Sequence, residues 1–204
     1  MPEDQSGLYQ AGETVLLVKV PEAEPLVGQW RQRFDSSAGA RLPAHVTVLY
    51  PFLDHGRIDA DVLGALELVI GAHCAFDVRF EGFGRFPDVL FLVPTPEGPL
   101  RALTQAVCER WPEVPPYGGR FVEVVPHLTV AHGQERSVCD EAEAALTGRL
   151  PVTARVSAVQ LLVCDGESWH ERAAFPLRGR VAPPGPPSTG AASTRPERIL
   201  RERT

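Results

Sequence analysis

The segment Pro43-Ala44-His45-Val46-Thr47-Val48-Leu49-Tyr50-Pro51-Phe52 contains a tetrapeptide that returns later in the chain in a related form. The second copy, His127-Leu128-Thr129-Val130, begins 82 positions after the first. Residues i and i+2 of a β-strand point to the same face, so histidine and threonine share one face in each copy. The intervening apolar residues point to the opposite face, where they can be buried. We therefore expect two strands that each present one imidazole and one hydroxyl.

Segments typical of strands and helices alternate on both sides of these motifs. The pattern predicts strands at Thr14–Val20, His45–Tyr50, Ala75–Phe86, Val89–Val93, His127–His132, Val152–Cys164 and Trp169–Leu177. It predicts helices at Pro21–Phe34, Asp59–Ala72, Leu100–Trp111 and Cys139–Leu150, with loops at Asp35–Leu42 and Trp111–Arg120. This order predicts an α+β fold, with two pseudo-symmetric lobes of mostly antiparallel sheet and outer helices around a central cleft.

The composition is that of a globular chain. A length of 204 residues allows one domain or two small lobes around a shared core. The hydrophobic fraction of 44% and the charged fraction of 23% fit neither a wholly disordered nor a collagen-like chain. We expect residues 1–180 to form one bilobal catalytic domain with halves at about 12–95 and 96–178. Residues 181–204 are rich in Pro, Gly, Ser and Arg, and we expect a disordered tail there.

The net charge of −6 argues against a general nucleic-acid coat protein, whose affinity comes mainly from Lys and Arg. No apolar run is long enough to suggest a membrane span, and the acidic start of the sequence does not resemble a signal peptide. The four cysteines are scattered and form no CxxC pair. These features predict a cytoplasmic protein.

A single His-x-Thr strand would be an ordinary structural or solvent-facing feature. Two copies in corresponding positions of two similar halves favour a shared site instead. Because an unperturbed imidazole titrates near pH 6.5, one histidine can act as general base while the other acts as general acid. Threonine hydroxyls can donate hydrogen bonds to phosphate oxygens. These residue types favour in-line displacement at phosphorus.

The two motifs and their flanking residues, Pro43 to Phe52 and Val125 to Ala131, resemble the 2H phosphoesterase superfamily, in its 2′-5′ RNA ligase-like (cyclic phosphodiesterase) branch. The resemblance covers about residues 12–178. It implies a bilobal fold with a central cleft and activity on 2′,3′-cyclic phosphates or 2′-5′ linkages, without a metal or a nucleotide cofactor. It also implies that His45 and His127 are catalytic.

By the same resemblance, Thr47 and Thr129 bind the phosphate. Weaker candidates for substrate binding are Tyr50, Phe52, Arg85 and Arg120. The two aromatic rings can stack on a base or pack in the core, and the two arginines can bind phosphate or lie unused at the surface. Gly118-Gly119, in the proline-rich loop, can form a flap over the substrate or an ordinary turn.

The acidic net charge disfavours a long polyanion, so we expect a nucleotide or a short RNA or oligonucleotide end as the partner. We expect a monomer, because the inferred cleft lies within one chain. Two alternatives stay open. One is a catalytically inactive nucleotide- or RNA-binding module of the same fold. The other is a metal-dependent hydrolase that uses His45 and His127 as ligands, although neither motif has Asp or Glu at i+2 or i+4.

Overall fold

The computed structural model describes residues 9–120 and 124–179, so the tail predicted at 181–204 lies outside the described residues. The strands are β1 (Thr14–Lys19), β2 (His45–Leu49), β3 (Phe76–Phe86), β4 (Val89–Thr95), β5 (Leu128–His132), β6 (Val152–Val156), β7 (Ala158–Cys164) and β8 (Trp169–Pro176). The helices are α1 (Glu24–Phe34), α2 (Ser36–Gly39), α3 (Ala60–Gly71), α4 (Gly98–Arg110) and α5 (Arg136–Thr147), with 3₁₀ turns at Pro21–Ala23, His55–Arg57 and Pro116–Gly119. None of the helices in these ranges is both long and apolar enough to cross a membrane.

The strands form two sheets of four strands each, and neighbouring strands are antiparallel. The order is β2-β1-β7-β8 in the first sheet and β5-β4-β3-β6 in the second. In each sheet, the strand that carries a His-x-Thr motif lies at one edge, next to a strand that precedes it in the chain. The predicted α+β class with antiparallel sheets and helices is confirmed.

Each sheet combines strands from both halves of the sequence. The first sheet takes β1 and β2 from the predicted half 12–95, and β7 and β8 from the half 96–178. The second sheet takes β3 and β4 from the first half, and β5 and β6 from the second. The two sheets are therefore interleaved along the chain. β4 is the neighbour of the motif strand β5, just as β1 is the neighbour of the motif strand β2. β4 nevertheless belongs to the predicted half 12–95, whereas β5 belongs to the half 96–178.

The segment Val152–Cys164, predicted as one long strand, is two strands in different sheets. β6 pairs with β3 in the second sheet, whereas β7 pairs with β1 and β8 in the first. Ser157 lies between them, and its carbonyl accepts a 2.9 Å hydrogen bond from the amide of Leu177. The prediction was wrong because no glycine or proline marks the crossing, and apolar residues continue on both sides.

Two further predictions differ from the structure at element ends. The predicted loop Asp35–Leu42 contains the short helix α2, because the Asp35 carboxylate accepts a 3.0 Å hydrogen bond from the amide of Ser37 and caps the first turn. The helix predicted at Cys139–Leu150 is α5, which begins three residues earlier and ends at Thr147. The first difference involves a side-chain cap, whereas α5 begins without a side-chain capping hydrogen bond.

One hydrophobic core lies behind both sheets and holds the two motif strands together. Val46 and Val48 of β2 belong to it, as do Leu128 and Val130 of β5, and none of the four is more than 2% exposed. Helix α1, which connects β1 to β2, also packs against β5, and α4, which leads from β4 towards β5, packs against β2. Thr104 of α4 donates a 2.8 Å hydrogen bond to the carbonyl of Val48. The motif strands therefore meet in the middle of the molecule.

Two leucines of α3 provide a matched test of this core. Leu66 is fully buried in it, whereas Leu68, two residues later, is 78% exposed. Leu66→Ala is expected to lower the free energy of unfolding by about 2–5 kcal/mol, since it removes buried surface and leaves a cavity. Leu68→Ala is expected to change it by less than about 0.5 kcal/mol. Urea denaturation measures both, and equal effects would contradict the position of α3.

Candidate active site

The first motif lies on β2 with the alternation that the sequence predicts. His45 and Thr47 are half-buried on one face, while Val46 and Val48 are buried on the other. The buried valines fix the strand against the core, so the face that they leave carries only the imidazole and the hydroxyl. This face is turned away from that core.

The second motif repeats this arrangement at the edge of the other sheet. His127 directly precedes β5, one residue before the strand begins, and Thr129 follows within it. Both His127 and Thr129 are half-buried, whereas the alternating residues Leu128 and Val130 are fully buried. Strands β2 and β5 contact each other. The protonated imidazole of His127 lies close enough to His45 to lower the pKa of the latter. The structure therefore brings the two motifs together.

The two imidazoles are held in the same way. Nδ1 of His45 lies 2.7 Å from the carbonyl oxygen of Pro43, and Nδ1 of His127 lies 2.7 Å from that of Val125. A carbonyl oxygen only accepts, so each Nδ1 carries the hydrogen and donates it. In the neutral rings Nε2 then keeps its lone pair, and in the protonated rings Nε2–H is a donor. Each histidine can therefore accept or donate a proton at Nε2.

The environment of His45 strongly favours the neutral ring. Burial lowers the pKa of His45 from 6.5 to about 4, and the positive charge of Arg31 acts in the same direction. The hydrogen bond to Pro43 and the negative charge of Asp35 oppose this shift without reversing it. In the free protein His45 is therefore neutral at pH 7, the state that a general base requires.

The pKa of His127 is also lowered, mainly by burial and to a smaller degree by the charge of His132. The hydrogen bond to the carbonyl of Val125 acts in the opposite direction, because it stabilises the protonated ring. Among the residues that the structure describes, no arginine lowers the pKa of His127 as Arg31 lowers that of His45. When the pair holds a single proton, the proton is therefore better placed on His127.

A buried ion network supports the segment that leads into His45. Arg31 of α1 is only 2% exposed. Its Nε donates to the Asp35 carboxylate at 3.1 Å, and a terminal nitrogen donates to the Leu42 carbonyl at 3.2 Å. Glu24, which also contacts Arg31, accepts a hydrogen bond from the amide of Ala44. Sequence analysis missed these residues, since a helical arginine gives no sign that it will be buried.

Two phenylalanine rings surround His127. The ring of Phe86 meets the imidazole edge-on with centroids 5.3 Å apart, and Phe91 lies at 5.2 Å. Phe91 is buried, but Phe86 is 38% exposed. Gly84 makes this packing possible, because a Cβ there would overlap the ring of Phe91. These rings fix one side of His127 and leave an aromatic surface open next to it.

The loop predicted at Trp111–Arg120 brings an unpredicted residue to the first motif. Its 3₁₀ turn, Pro116–Gly119, carries Tyr117, whose phenol is hydrogen-bonded to Thr47. Burial raises the pKa of Tyr117, so the phenol keeps its proton. The proline and glycine content marks this stretch as a loop, but nothing in the sequence shows which strand the loop will reach.

The two aromatic candidates that follow the first motif have different surroundings. The hydroxyl of Tyr50 donates a 2.9 Å hydrogen bond to Glu13, and its ring contacts those of Tyr9 and Trp169. Phe52 is only 4% exposed and packs edge-on against Trp111 with centroids 5.2 Å apart. Tyr50 is thus half-buried, whereas the surroundings of Phe52 are those of a core residue.

Among the described residues, no contact links either candidate arginine to the two motifs. The guanidinium of Arg85 pairs with Glu143 at 2.6 Å and with Asp140 at 2.8 Å, and these carboxylates would compete with a phosphate. Arg120 is exposed at the end of the 3₁₀ turn, directly before residues 121–123, which the structure does not describe. Within residues 9–120 and 124–179, no cluster of three or more His, Cys, Asp or Glu side chains could hold a metal ion.

The fold and this site define a class of protein: an α+β molecule in which two His-x-Thr segments meet at the edges of two four-stranded antiparallel sheets. A family model described as the 2′-5′ RNA ligase superfamily matches residues 19–167. The chain therefore belongs to the 2′-5′ RNA ligase superfamily of 2H phosphoesterases, which confirms the resemblance found in its motifs. A comparison with curated protein sequences finds no match.

Several solved structures share the fold. E. coli LigT complexed with 3′-AMP is 17% identical, with a TM-score of 0.56 over 82% of this chain and 99% of LigT. TT0787 of Thermus thermophilus is 21% identical, with a TM-score of 0.56 over 83% of this chain and 100% of its own. E. coli LigT complexed with NADP+ is 18% identical, with a TM-score of 0.51 over 83% of this chain and 99% of LigT. These likenesses confirm a LigT-like fold.

Two glycines of β3 test the packing around His127. Gly84→Ala is expected to lower the free energy of unfolding by about 1–3 kcal/mol, because the new methyl group displaces the ring of Phe91. Gly82→Ala in the same strand is the control, since its new methyl group would have no neighbouring atom within 4 Å. It is expected to be neutral or slightly stabilising. Chemical denaturation measures both variants, and a Gly84→Ala protein as stable as Gly82→Ala would contradict the contact.

Proposed function

We propose that the protein is a metal-independent phosphoesterase that acts on the 2′,3′-cyclic phosphate or 2′-5′ phosphodiester of a nucleotide or RNA end. The observation that carries this proposal is the matched pair of imidazoles, each held through Nδ1 and each two residues before a threonine on the same face. Membership of the 2′-5′ RNA ligase superfamily supports it.

In the proposed hydrolysis His45 is the general base and His127 the general acid. Nε2 of neutral His45 accepts a proton from water, whose oxygen attacks phosphorus in line with the leaving oxygen. Nε2–H of protonated His127 gives its proton to the 2′- or 3′-oxygen as the bond from that oxygen to phosphorus breaks. The products are a phosphate monoester and a free hydroxyl, and the pair ends with the proton on His45. The lower pKa of His45, next to Arg31, favours this assignment of roles.

Thr47 and Thr129 have the proposed role of stabilising the phosphate. Each hydroxyl lies on the same strand face as its histidine, so each can donate to a non-bridging oxygen. Negative charge on these oxygens grows as water attacks, and a fixed donor is therefore worth more in the transition state than in the ground state.

Charge and aromatic surface support a small substrate. The net charge of −6 disfavours long RNA, and the guanidinium of Arg85 is already paired with two carboxylates. The exposed ring of Phe86 next to His127 is a surface of the kind that stacks on a nucleobase. The solved complexes of E. coli LigT contain 3′-AMP and NADP+, which is consistent with a nucleotide substrate for this chain. We propose a monomer that needs no cofactor.

Turnover of nucleoside 2′,3′-cyclic monophosphates in EDTA tests this function. His45→Ala and His127→Ala are each expected to lower kcat by at least ~10², because each removes one proton-transfer group. The two losses are not expected to add in the double variant, since acid and base act as one unit. His55→Ala, which changes an exposed histidine outside the site, is the control and is expected to retain activity.

Loss of wild-type turnover in EDTA that returns with a divalent metal would favour the metal-dependent alternative. Nucleotide binding without turnover of cyclic or 2′-5′-linked substrates would favour the inactive binding module. The position of the phosphate in the product, 2′ or 3′, identifies the leaving oxygen.

The pH dependence of kcat/KM is expected to be bell-shaped, with an optimum below 6.5. Activity rises as pH increases through about 4, because the base His45 must lose its proton. Activity falls as pH increases through the pKa of His127, which lies below 6.5, because the acid must keep its proton. Negative charge on bound substrate raises both pKa values, so the kcat profile is expected at higher pH. A kcat/KM profile that is flat between about pH 5 and 8 would contradict the mechanism.

A further inference from the structure

The turn Pro116–Gly119 holds Tyr117 in a conformation that side chains usually avoid. Tyr117 has φ +52°, and Gly118 and Gly119 follow with φ +64° and +76°, so three successive residues are left-handed. Glycine adopts such angles freely, but a residue with a Cβ is strained in them. A glycine at position 117 would fit this backbone with less strain. A tyrosine in this conformation therefore points to a task for its side chain.

Main-chain contacts direct this side chain towards the first motif. The amide of Tyr117 donates a 2.6 Å hydrogen bond to the carbonyl of Tyr50, just beyond the end of β2. The turn is closed by a 3.0 Å hydrogen bond from the amide of Gly118 to the carbonyl of Pro115. A loop that precedes β5 is thus attached to the end of β2, in the other sheet, and its phenol reaches Thr47.

The hydrogen bond between the two hydroxyls has a smaller effect on Tyr117 than burial has. It lowers the pKa of Tyr117 against the larger raising effect of burial, because the Thr47 hydroxyl can stabilise the ionised phenol. The phenol itself remains protonated and keeps its capacity to donate. Two hydroxyl groups from different parts of the chain therefore lie together on the face that carries His45.

We propose that Tyr117 is a further substrate-contacting residue, whose phenol donates a hydrogen bond to the same non-bridging phosphate oxygen as Thr47. This inference rests on the proposed function, because it assumes that a phosphate binds between the two motifs. When phosphate binds, both hydroxyls can turn their hydrogens towards it, because each hydroxyl hydrogen rotates freely. Two donors then share the charge that develops on this oxygen during attack by water.

Tyr117→Phe tests the proposal, because it removes one oxygen atom and keeps the ring. We expect kcat/KM for nucleoside 2′,3′-cyclic monophosphates to fall about 10- to 100-fold, mainly in kcat. Tyr9→Phe is the matched control, since Tyr9 packs against Tyr50 and Trp169 and has no assigned role. It is expected to retain wild-type kinetics, and thermal unfolding shows whether both variants fold as the wild type does.

Phosphorothioate substrates distinguish a phosphate contact from a purely structural role of Tyr117, because only a contact affects the preference between diastereomers. Sulfur replaces one non-bridging oxygen in each of two diastereomers, and the wild-type enzyme is expected to prefer one of them. Tyr117→Phe is expected to reduce this preference. The double variant Thr47→Ala with Tyr117→Phe is expected to lose less kcat/KM than the product of the two single losses, because both residues contact the same oxygen. An unchanged preference, or kinetics like those of Tyr9→Phe, overturns the proposal.

The result remains interpretable if the wild-type protein turns over none of the substrates. That outcome contradicts the proposed hydrolysis, and calorimetric titration with inorganic phosphate and with 3′-AMP then decides the role of Tyr117. Binding to Tyr117→Phe that is about 10-fold weaker than to the wild type supports the phosphate contact. Equal binding to both proteins, or no binding to the wild type, overturns it.

Discussion

The alternation of buried and open side chains along β2 and β5 is the constraint on which the rest of the structure depends. Val46 and Val48 on one strand, and Leu128 and Val130 on the other, enter a single core that continues behind both sheets. Because this core fixes both strands from the same side, the polar faces of both motifs are oriented together. Helices α1 and α4 reinforce the arrangement, since each packs against the motif strand of the opposite sheet. The geometry of the site is thus a product of hydrophobic packing.

The same burial that orients the histidines also sets their proton affinity. A half-buried imidazole loses hydration when charged, and for His45 the charge of Arg31 adds to this loss. Arg31 is itself buried, which is tolerable only because Asp35 and the Leu42 carbonyl accept its hydrogens. One arginine therefore has two effects: it anchors the segment before the motif and makes His45 less basic. The two motifs are equivalent in sequence and hydrogen bonding, but their electrostatic surroundings differ.

The sequence was sufficient to predict the fold class and most of the strands, because both depend on local periodicity and on residues two positions apart. The crossing at Ser157 was missed, since a strand that changes sheets keeps its apolar pattern. Tyr117 and Gly84 were not recognised because their significance lies in contacts with Thr47 and Phe91, which depend on tertiary structure. Sequence patterns therefore revealed the motif residues, but not the neighbours that tune them.

The interleaving of the two sheets also affects how the chain can fold as it is synthesised. β1 pairs with β7 through contacts such as Thr14 with Val163, so one side of β1 has no partner until almost the whole described chain has been made. At elongation rates of about 5–20 residues per second, this apolar strand waits on the order of ten seconds on the ribosome. In the second sheet, one side of β3 likewise has no partner strand until β6 has been made, just before β7. Both sheets are completed within a few residues of each other, so the two sheets form together once β6 and β7 have been made.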